Sequence, residues 1–142
     1  MISIPCVVAS GPVIIEDGKV LLCRHGKSPE DQKIWKFVGG RVDESYFRTP
    51  GNFNVLEEAC HQKVMDEMGL KIEITGPIKP MMITHPNASD VYVVLIHWLA
   101  KRLNEIKAGK QILEYAWHDI DNLPLNSAPN IRPVLEAYKN SL

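Results

Sequence analysis

Most apolar residues of the chain follow one of two patterns. Some alternate with polar residues, and others form short continuous runs rich in β-branched residues. The first pattern is typical of half-buried β-strands, and the second is typical of fully buried strands. Turn signals separate these segments, and the strongest is Asp17-Gly18, because this dipeptide favours a tight hairpin. We therefore predict strands at 5–16 (interrupted at Gly11-Pro12), 19–25, 34–37, 70–74, 78–85, 90–103 and 113–120, with a turn at Pro86 to Ser89.

Two further segments are predicted to be helices. The first runs from about Val55 to Met68, where Asn52 or Asn54 can cap its start and Gly69 supplies a left-handed stop. The second lies near the C-terminus, and its apolar face is formed by Ile131, Val134, Leu135 and Tyr138. The order of strands, helix, strands and helix predicts an α/β or α+β fold. A length of 142 residues is usual for one domain, so we predict a single domain over residues 1–142.

Composition and charge exclude several classes of protein. The chain is 45% hydrophobic and 23% charged, which is ordinary for a globular protein. A formal net charge of −1 argues neither for a nucleic-acid binder, which would carry a basic excess, nor for a membrane-surface protein. Cys6, Cys23 and Cys60 form no CxxC pair, and no apolar run reaches membrane-spanning length. We therefore expect a cytoplasmic protein with reduced thiols and without nucleic-acid or membrane partners.

Candidate chemistry is concentrated on the predicted helix from Val55 to Met68. At about 100° per residue, Lys63, Asp66 and Glu67 fall in one sector of the helix surface. Two carboxylates there supply oxygen ligands of the kind that Mg²⁺ prefers, alongside water and substrate phosphate. The alternative is an ordinary ion pair between Lys63 and Glu67, which at this spacing is worth roughly a few tenths of a kcal/mol. The helix alone leaves both interpretations open.

Segments on either side place this helix in a larger pattern. Upstream, W-x-F-x-G-G spans Trp35 to Gly40, and downstream Glu114 precedes Trp117 on a predicted strand. The helix itself ends in Q-K-V-M-D-E-M-G-L, from Gln62 to Leu70. This run aligns with R-E-U-x-E-E-x-G-U, the second half of the Nudix box, in which U is a bulky aliphatic residue. Over nearly the whole chain these features resemble the Nudix hydrolase family, and the resemblance implies a mixed β-sheet sandwiched between helices.

The box departs from the family pattern at several positions. Gln62 stands where the family has arginine, and Lys63 stands where the family has a glutamate that binds metal or serves the base. Val38 replaces the proline usual before the two glycines. Eight residues are inserted between the two halves of the box, and Phe47 to Asn54 accounts for them. The helix has therefore lost one metal ligand and gained a cation that competes for Glu67.

The resemblance implies a metal-dependent pyrophosphohydrolase that acts on a nucleoside diphosphate linked to another moiety. Asp66 and Glu67 would hold Mg²⁺ or Mn²⁺, with Glu114 as an added ligand. The predicted catalytic residues are Glu67, Asp66 and Lys63, the last of which would contact phosphate rather than metal. Weaker candidates for a further metal-binding carboxylate are Asp43, Glu44 and Glu58.

Substrate contacts are predicted at the strand ends beside the box. Trp35 and Phe37 would stack on a base or a sugar, although one of the two is expected in the core. Gly39 and Gly40 let the backbone turn sharply beside the helix. The candidate phosphate contacts are Arg24, His25 and Lys36, for which solvated surface charge is the alternative.

A binding module is the alternative to an enzyme. The same fold would then hold a nucleotide-like ligand or a protein partner without turnover, and an ion pair between Lys63 and Glu67 would favour this interpretation. We prefer the enzyme, because the paired acids and the surrounding Nudix-like frame are in place. The expected partner is a small nucleotide-like molecule, and the resemblance also allows a homodimer.

Overall fold

The structure is a computed structural model that describes residues 3–42, 51, 53–85 and 88–142, without the side chains of residues 41 and 89. Several positions named above lie outside the described residues. They are Asp43, Glu44, Asn52, most of the inserted segment 47–54 and part of the predicted turn at 86–89.

The described residues form strands, a helix, more strands and a second helix, in the order that the sequence predicts. The strands are β1 (Cys6–Ser10), β2 (Pro12–Glu16), β3 (Lys19–His25), β4 (Lys36–Phe37), β5 (Gly40–Arg41), β6 (Ile72–Pro77), β7 (Met81–His85), β8 (Ala88–Leu95), β9 (Trp98–Arg102) and β10 (Ile112–Asp119). The helices are α1 (Val55–Met68) and α2 (Ile131–Asn140). Among the described residues, no helix combines the length and apolar character that crossing a bilayer requires.

The strands are arranged in two mixed sheets. The smaller sheet has the order β5-β1-β8-β7, and the larger has the order β10-β3-β2-β9-β6, with β4 paired to β3. The pairs β1–β8 and β2–β9 are parallel, whereas the other pairs are antiparallel. One core joins the larger sheet to α1, and a second core joins its other face to α2. The predicted α+β class, with sheet between helices, is confirmed.

The prediction of one continuous strand over 90–103 is wrong. β8 ends at Leu95 and β9 begins at Trp98, so the chain leaves the smaller sheet and enters the larger one. This break lies beside Gly11, which separates β1 from β2 in the same way. The Gly11 carbonyl accepts hydrogen bonds from the Trp98 N–H and from the His97 ring. The chain therefore passes from the smaller sheet into the larger sheet twice, from β1 to β2 and from β8 to β9, and the two crossings lie side by side.

Alternation along β3 decides which functional side chains reach α1. Successive side chains of a strand point to opposite faces. Leu21 and Cys23 pack in the core with α1, whereas Leu22 packs in the core with α2. At the end of the strand, His25 consequently lies on the α1 side and Arg24 lies on the α2 side.

The C-terminal end of α1 is held by the segment 104–111. Gly69 has a φ of 61° and stops the helix in the left-handed conformation, as predicted. The last carbonyl groups of a helix have no partner inside it. Here the carbonyls of Asp66, Glu67, Met68 and Gly69 accept hydrogen bonds from the Gln111 side chain, the Gly109 N–H, the Lys107 N–H and the Asn104 side chain, respectively. The part of the helix that carries the paired acids is therefore anchored.

Candidate active site

Glu67 is the one acid that the fold buries among the described residues, with 8% of its surface exposed. It lies in the last turn of α1 and points into the protein. Its Oε1 accepts a hydrogen bond from the Gly39 N–H at 2.8 Å, and its Oε2 lies 2.6 Å from Nε2 of His25. The carboxylate therefore joins α1 to the end of β3 and to the Gly39-Gly40 turn.

The hydrogen-bonding role of His25 follows from its partner. An ionised carboxylate only accepts hydrogen bonds, so Nε2 of His25 carries the hydrogen and donates it to Glu67. The other ring nitrogen, Nδ1, is buried and has no hydrogen-bond partner among the described residues. The sequence placed His25 among phosphate contacts or surface charges, whereas the structure places it against the acid of the box.

Lys63 does not form the predicted alternative ion pair with Glu67. None of the ion pairs between described residues includes Lys63, whose side chain is half-buried. Asp66 is exposed, and its Oδ1 accepts a hydrogen bond from the Gln62 side chain at 2.7 Å. The paired acids therefore differ in setting, because Glu67 faces the interior and Asp66 faces solvent.

Glu114 is not brought to the paired acids. It lies directly opposite Arg24 in the β3–β10 ladder and forms an ion pair with it. Residues directly opposite in an antiparallel pair share a face of the sheet. Because Arg24 is on the α2 side, Glu114 lies on the face opposite to Glu67. Among the described residues, no group of three or more histidine, cysteine, aspartate and glutamate side chains is placed to hold a metal ion.

Arg24 and Trp35 support the loop between β3 and β4. The Arg24 guanidinium donates to the Gln32 carbonyl at 2.7 Å and lies 5.1 Å from the centre of the Trp35 ring. The Trp35 and His118 rings in turn meet in a T-shaped contact. Neither Arg24 nor Trp35 lines the cavity described next, so the structure separates these two predicted substrate contacts from the other three.

A cavity of about 390 Å³ lies beside the Gly39-Gly40 turn. Its walls are mostly apolar side chains from β1, β7 and β8, and three of the predicted substrate contacts, Phe37, Gly39 and Gly40, line it. Gly39 both lines the cavity and donates its N–H to Glu67. The box acid and the cavity are therefore adjacent parts of one site.

Two charged side chains, Lys36 and Asp31, lie in the wall of the cavity. Lys36 lines the cavity and pairs with Asp31, with 2.7 Å between Nζ and Oδ1. The hydrogen bond from Lys36 lowers the pKa of Asp31, and the charge of the nearby His25 acts in the same direction. Lys36 is thus a cation of the cavity wall, where it could contact an anionic group of a ligand.

His97 is a polar residue of the cavity that sequence reasoning passed over. It is 3% exposed, and its Nδ1 lies 3.1 Å from the Gly11 carbonyl. Burial lowers the pKa of His97 from 6.5 to about 4, so the ring is neutral near pH 7. Its Nε2 faces the Asn130 side chain at 3.4 Å, and its ring lies 5.0 Å from the Phe37 ring. In the sequence, His97 stands among apolar residues, and this setting indicates a buried side chain rather than one exposed to solvent.

A family model described as a NUDIX domain matches residues 6–138 of the chain. The chain belongs to the NUDIX domain family. The resemblance drawn from the box is thereby confirmed. Gln62 and Lys63 are accordingly departures within a true family member.

Solved structures show the same fold. The MutT protein from Methanosarcina mazei Go1 is similar with a TM-score of 0.75 and 18% identity, over 99% of this chain and 98% of that chain. The ORF135 protein of E. coli has a TM-score of 0.73 and 19% identity, over 96% and 91%. An ADP-ribose pyrophosphatase from Streptococcus suis 89-1591 has a TM-score of 0.64 and 17% identity, over 95% and 91%. These likenesses show the fold, and no curated protein matches the sequence.

The Gly39 turn of this NUDIX domain should tolerate no side chain. Gly39 has a φ of 87°, and an added Cβ would lie 3.2 Å from the Gly11 Cα and 3.3 Å from Cδ of Pro12. We expect Gly39→Ala to lower the free energy of unfolding by about 2–3 kcal/mol, since backbone strain and crowding combine. Chemical denaturation measures this change. Gly18→Ala is the matched control. Gly18 has a φ of 75° but open space around it, so this variant measures the cost of backbone strain without crowding. Equal losses in the two variants would show that crowding at Gly39 contributes nothing.

The buried His97 should make stability depend on pH. Its pKa is 6.5 when exposed and about 4 in the fold, so the unfolded chain takes up a proton at a higher pH than the folded chain does. The contribution of His97 to the free energy of unfolding is therefore fully present above pH 6.5 and is lost as the pH falls towards 4. The loss amounts to about 3 kcal/mol. Urea unfolding between about pH 7 and about pH 4.5 measures it, and His97→Phe should flatten the dependence. An equally steep dependence in His97→Phe would assign the effect to other groups.

Proposed function

We propose that this NUDIX-domain protein is a pyrophosphohydrolase that cleaves the diphosphate linkage of a nucleoside diphosphate joined to another moiety. The observation that carries the proposal is the hydrogen bond from Gly39 to Glu67. It sets a buried carboxylate of the Nudix box directly beside a cavity large enough for part of a nucleotide. A ligand in that cavity would present its linkage to the acid.

The distribution of charge supports a ligand with a neutral part and an anionic part. The mostly apolar walls of the cavity favour an uncharged group, because burying an unpaired charge there is costly. Lys36 lines the cavity, where its ammonium group would donate to an anionic part of the ligand such as a diphosphate. The name of one structural relative, an ADP-ribose pyrophosphatase, fits a linkage of this class.

The paired acids fit a hard divalent metal by their chemistry. Mg²⁺ commonly binds one or two carboxylates and completes its coordination with water and substrate phosphate. Glu67 and Asp66 would supply those carboxylates, with Mg²⁺ or Mn²⁺ as the ion. When bound, such an ion polarises phosphate oxygens and lowers the pKa of the attacking water. Lys63, one turn before Glu67, would contact phosphate.

A hydrolysis assay tests the proposal. The protein is incubated with NDP-sugars, ADP-ribose, dinucleoside polyphosphates and dNTPs, each with Mg²⁺ or Mn²⁺. We expect metal-dependent release of a phosphate-containing product from an NDP-linked compound. Glu67→Gln should slow this release by at least about 100-fold. Glu57→Gln is the matched control, since it changes an exposed acid of the same helix.

A binding module without turnover is the second candidate. Both oxygens of Glu67 already accept hydrogen bonds, from Gly39 and from His25, and a carboxylate satisfied in this way gains less from a metal ion. The same assay separates the two candidates. Nucleotide binding without product from any compound, with either metal, would establish the module and overturn the enzyme.

A further inference from the structure

The two acids of the Nudix box point in different directions. Asp66 faces solvent, whereas Glu67 points into the protein and has 8% of its surface exposed. Neighbouring residues of a helix project about 100° apart, so their side chains do not face each other. One metal ion can therefore bind both carboxylates only if the Glu67 side chain turns out of its buried position towards Asp66.

Two hydrogen bonds hold the Glu67 side chain in its buried position. The Gly39 N–H donates to Oε1 at 2.8 Å, and Nε2–H of His25 donates to Oε2 at 2.6 Å. Hydrogen bonds to an ionised carboxylate are stronger than those between neutral groups. The side chains of His25 and Glu67 are only 19% and 11% exposed, so little water competes for their bond. His25 therefore decides whether Oε2 is available to another partner.

The His25 ring is held by this one hydrogen bond. Its Nδ1 is buried and has no hydrogen-bond partner among the described residues, so turning the ring breaks a single bond. The backbone of α1 is anchored by contrast, because the carbonyls of residues 66–69 accept hydrogen bonds from the segment 104–111. Movement of two side chains thus releases Glu67, and the helix stays in place.

We propose that His25 is a latch that keeps Glu67 from sharing a metal ion with Asp66. In the latched state, the positive end of the His25 N–H bond lies against Oε2, which repels a cation that approaches this oxygen. Binding of a divalent ion and the His25–Glu67 hydrogen bond therefore exclude each other. The fraction of molecules with the latch open sets the apparent metal affinity. His25 acts through Glu67, so it is a positioning residue. The inference rests on the proposed function for the choice of Asp66 and Glu67 as metal ligands.

Calorimetric titration with Mn²⁺, without any nucleotide, tests the latch. His25→Phe keeps a ring at the end of β3 but removes the donor, and we expect it to bind Mn²⁺ at least about tenfold more tightly than the unchanged protein. A purely structural role of His25 would give weaker binding instead. His25→Ala removes the donor without adding volume and should give the same gain. His25→Gln can place an amide N–H near the former Nε2 and should bring the affinity back to within about threefold of the unchanged protein.

His61→Phe is the matched control for the calorimetry. His61 is an exposed histidine of the same helix, and among the described residues it makes no hydrogen bond to Glu67. Its replacement should leave the Mn²⁺ affinity unchanged. Equal Mn²⁺ affinity in the unchanged protein, His25→Phe and His25→Ala would overturn the proposal, whether that affinity is high or too low to measure.

Nuclear magnetic resonance of the His25 ring tests whether the ion and the hydrogen bond exclude each other. Mg²⁺ is diamagnetic, so it leaves the ring signals visible. Saturating Mg²⁺ should move the Nε2–H signal of His25 away from the position of a carboxylate-bound proton, whereas the ring signals of His61 should stay in place. An unmoved His25 signal at saturating Mg²⁺ would show that the ion and the bond coexist, and would overturn the latch.

Failure of the latch and failure of the proposed function give different results. The binding experiments contain no substrate, so the hydrolysis assay is a separate measurement. Tighter Mn²⁺ binding by His25→Phe, without product from the unchanged protein, would establish a latched site that does not turn over. Product from the unchanged protein, with equal Mn²⁺ affinities, would establish the enzyme and overturn the latch.

Discussion

Replacing Lys63 with glutamate is expected to raise the affinity of the α1 acids for Mn²⁺ by at least about tenfold. Lys63 precedes Glu67 by one helical turn, and its half-buried side chain enters no ion pair between described residues. A lysine ammonium about 6 Å from a divalent ion is repelled by roughly 5 kcal/mol at an effective dielectric constant of about 20. Solvent and the flexible lysine stem reduce this repulsion. Glutamate at the same position attracts the ion instead.

Calorimetric titration with Mn²⁺ measures the effect of Lys63→Glu. Lys19→Glu is the matched control, because it makes the same charge change at the other end of β3, about 20 Å along the strand from His25. The double variant Gln62→Arg, Lys63→Glu restores two family residues and extends the test to turnover. A faster variant would identify the native box as a weakened hydrolase, and a slower one would show that Lys63 serves the reaction. Unchanged Mn²⁺ affinity in Lys63→Glu would show that the charge at position 63 does not affect metal binding by the α1 acids.

Replacing Glu67 with alanine is expected to lower the free energy of unfolding by about 3 kcal/mol. The change leaves the Gly39 N–H and Nε2–H of His25 without their acceptor in a mostly buried place. Each unsatisfied donor of this kind costs about 1–3 kcal/mol. For a domain of this size the loss corresponds to a fall in Tm of about 10 °C.

Thermal unfolding of Glu67→Ala measures this loss against a matched variant. Glu57→Ala removes an exposed acid from the first turn of the same helix, where only a weak interaction with the helix dipole is lost. Its Tm should stay within about 2 °C of the unchanged protein. Similar Tm values for the two variants would mean that the contacts of Glu67 with Gly39 and His25 do not stabilise the fold.

The sequence predicted α1 closely because its signals are local. The helix runs from Val55 to Met68, as expected, and Gly69 ends it. Acids in the first turn and a left-handed glycine at the end act within one turn of the helix, so no tertiary information is needed. The family fold followed for a related reason, since the second half of the box and W-x-F-x-G-G are short continuous runs.

The break between β8 and β9 could not be predicted in the same way. Residues 90–103 are mostly apolar and contain neither glycine nor proline, and such a segment favours a continuous strand. The cause of the break is tertiary. Gly11, far away in sequence, accepts hydrogen bonds from His97 and Trp98 where the chain changes sheets. Because His97 lies at this break, the sequence also did not reveal that His97 lines the cavity.

The candidate site was predicted in part. Alternation along β3 could have placed Arg24 and His25 on opposite faces, because both lie on one strand. The position of Glu114 depends on the pairing of β10 with β3, which no local pattern reveals. The metal-binding role of Asp66 and Glu67 stays a prediction, as does the single domain over residues 1–142.

Anomalous scattering from crystals soaked in Mn²⁺ together with a mononucleotide tests the central claim most directly. The account predicts a manganese peak within about 2.0–2.3 Å of a Glu67 carboxylate oxygen, with His25 moved off that oxygen. The absence of any peak near Glu67 at saturating Mn²⁺, with His25 still bound to the carboxylate, would contradict it.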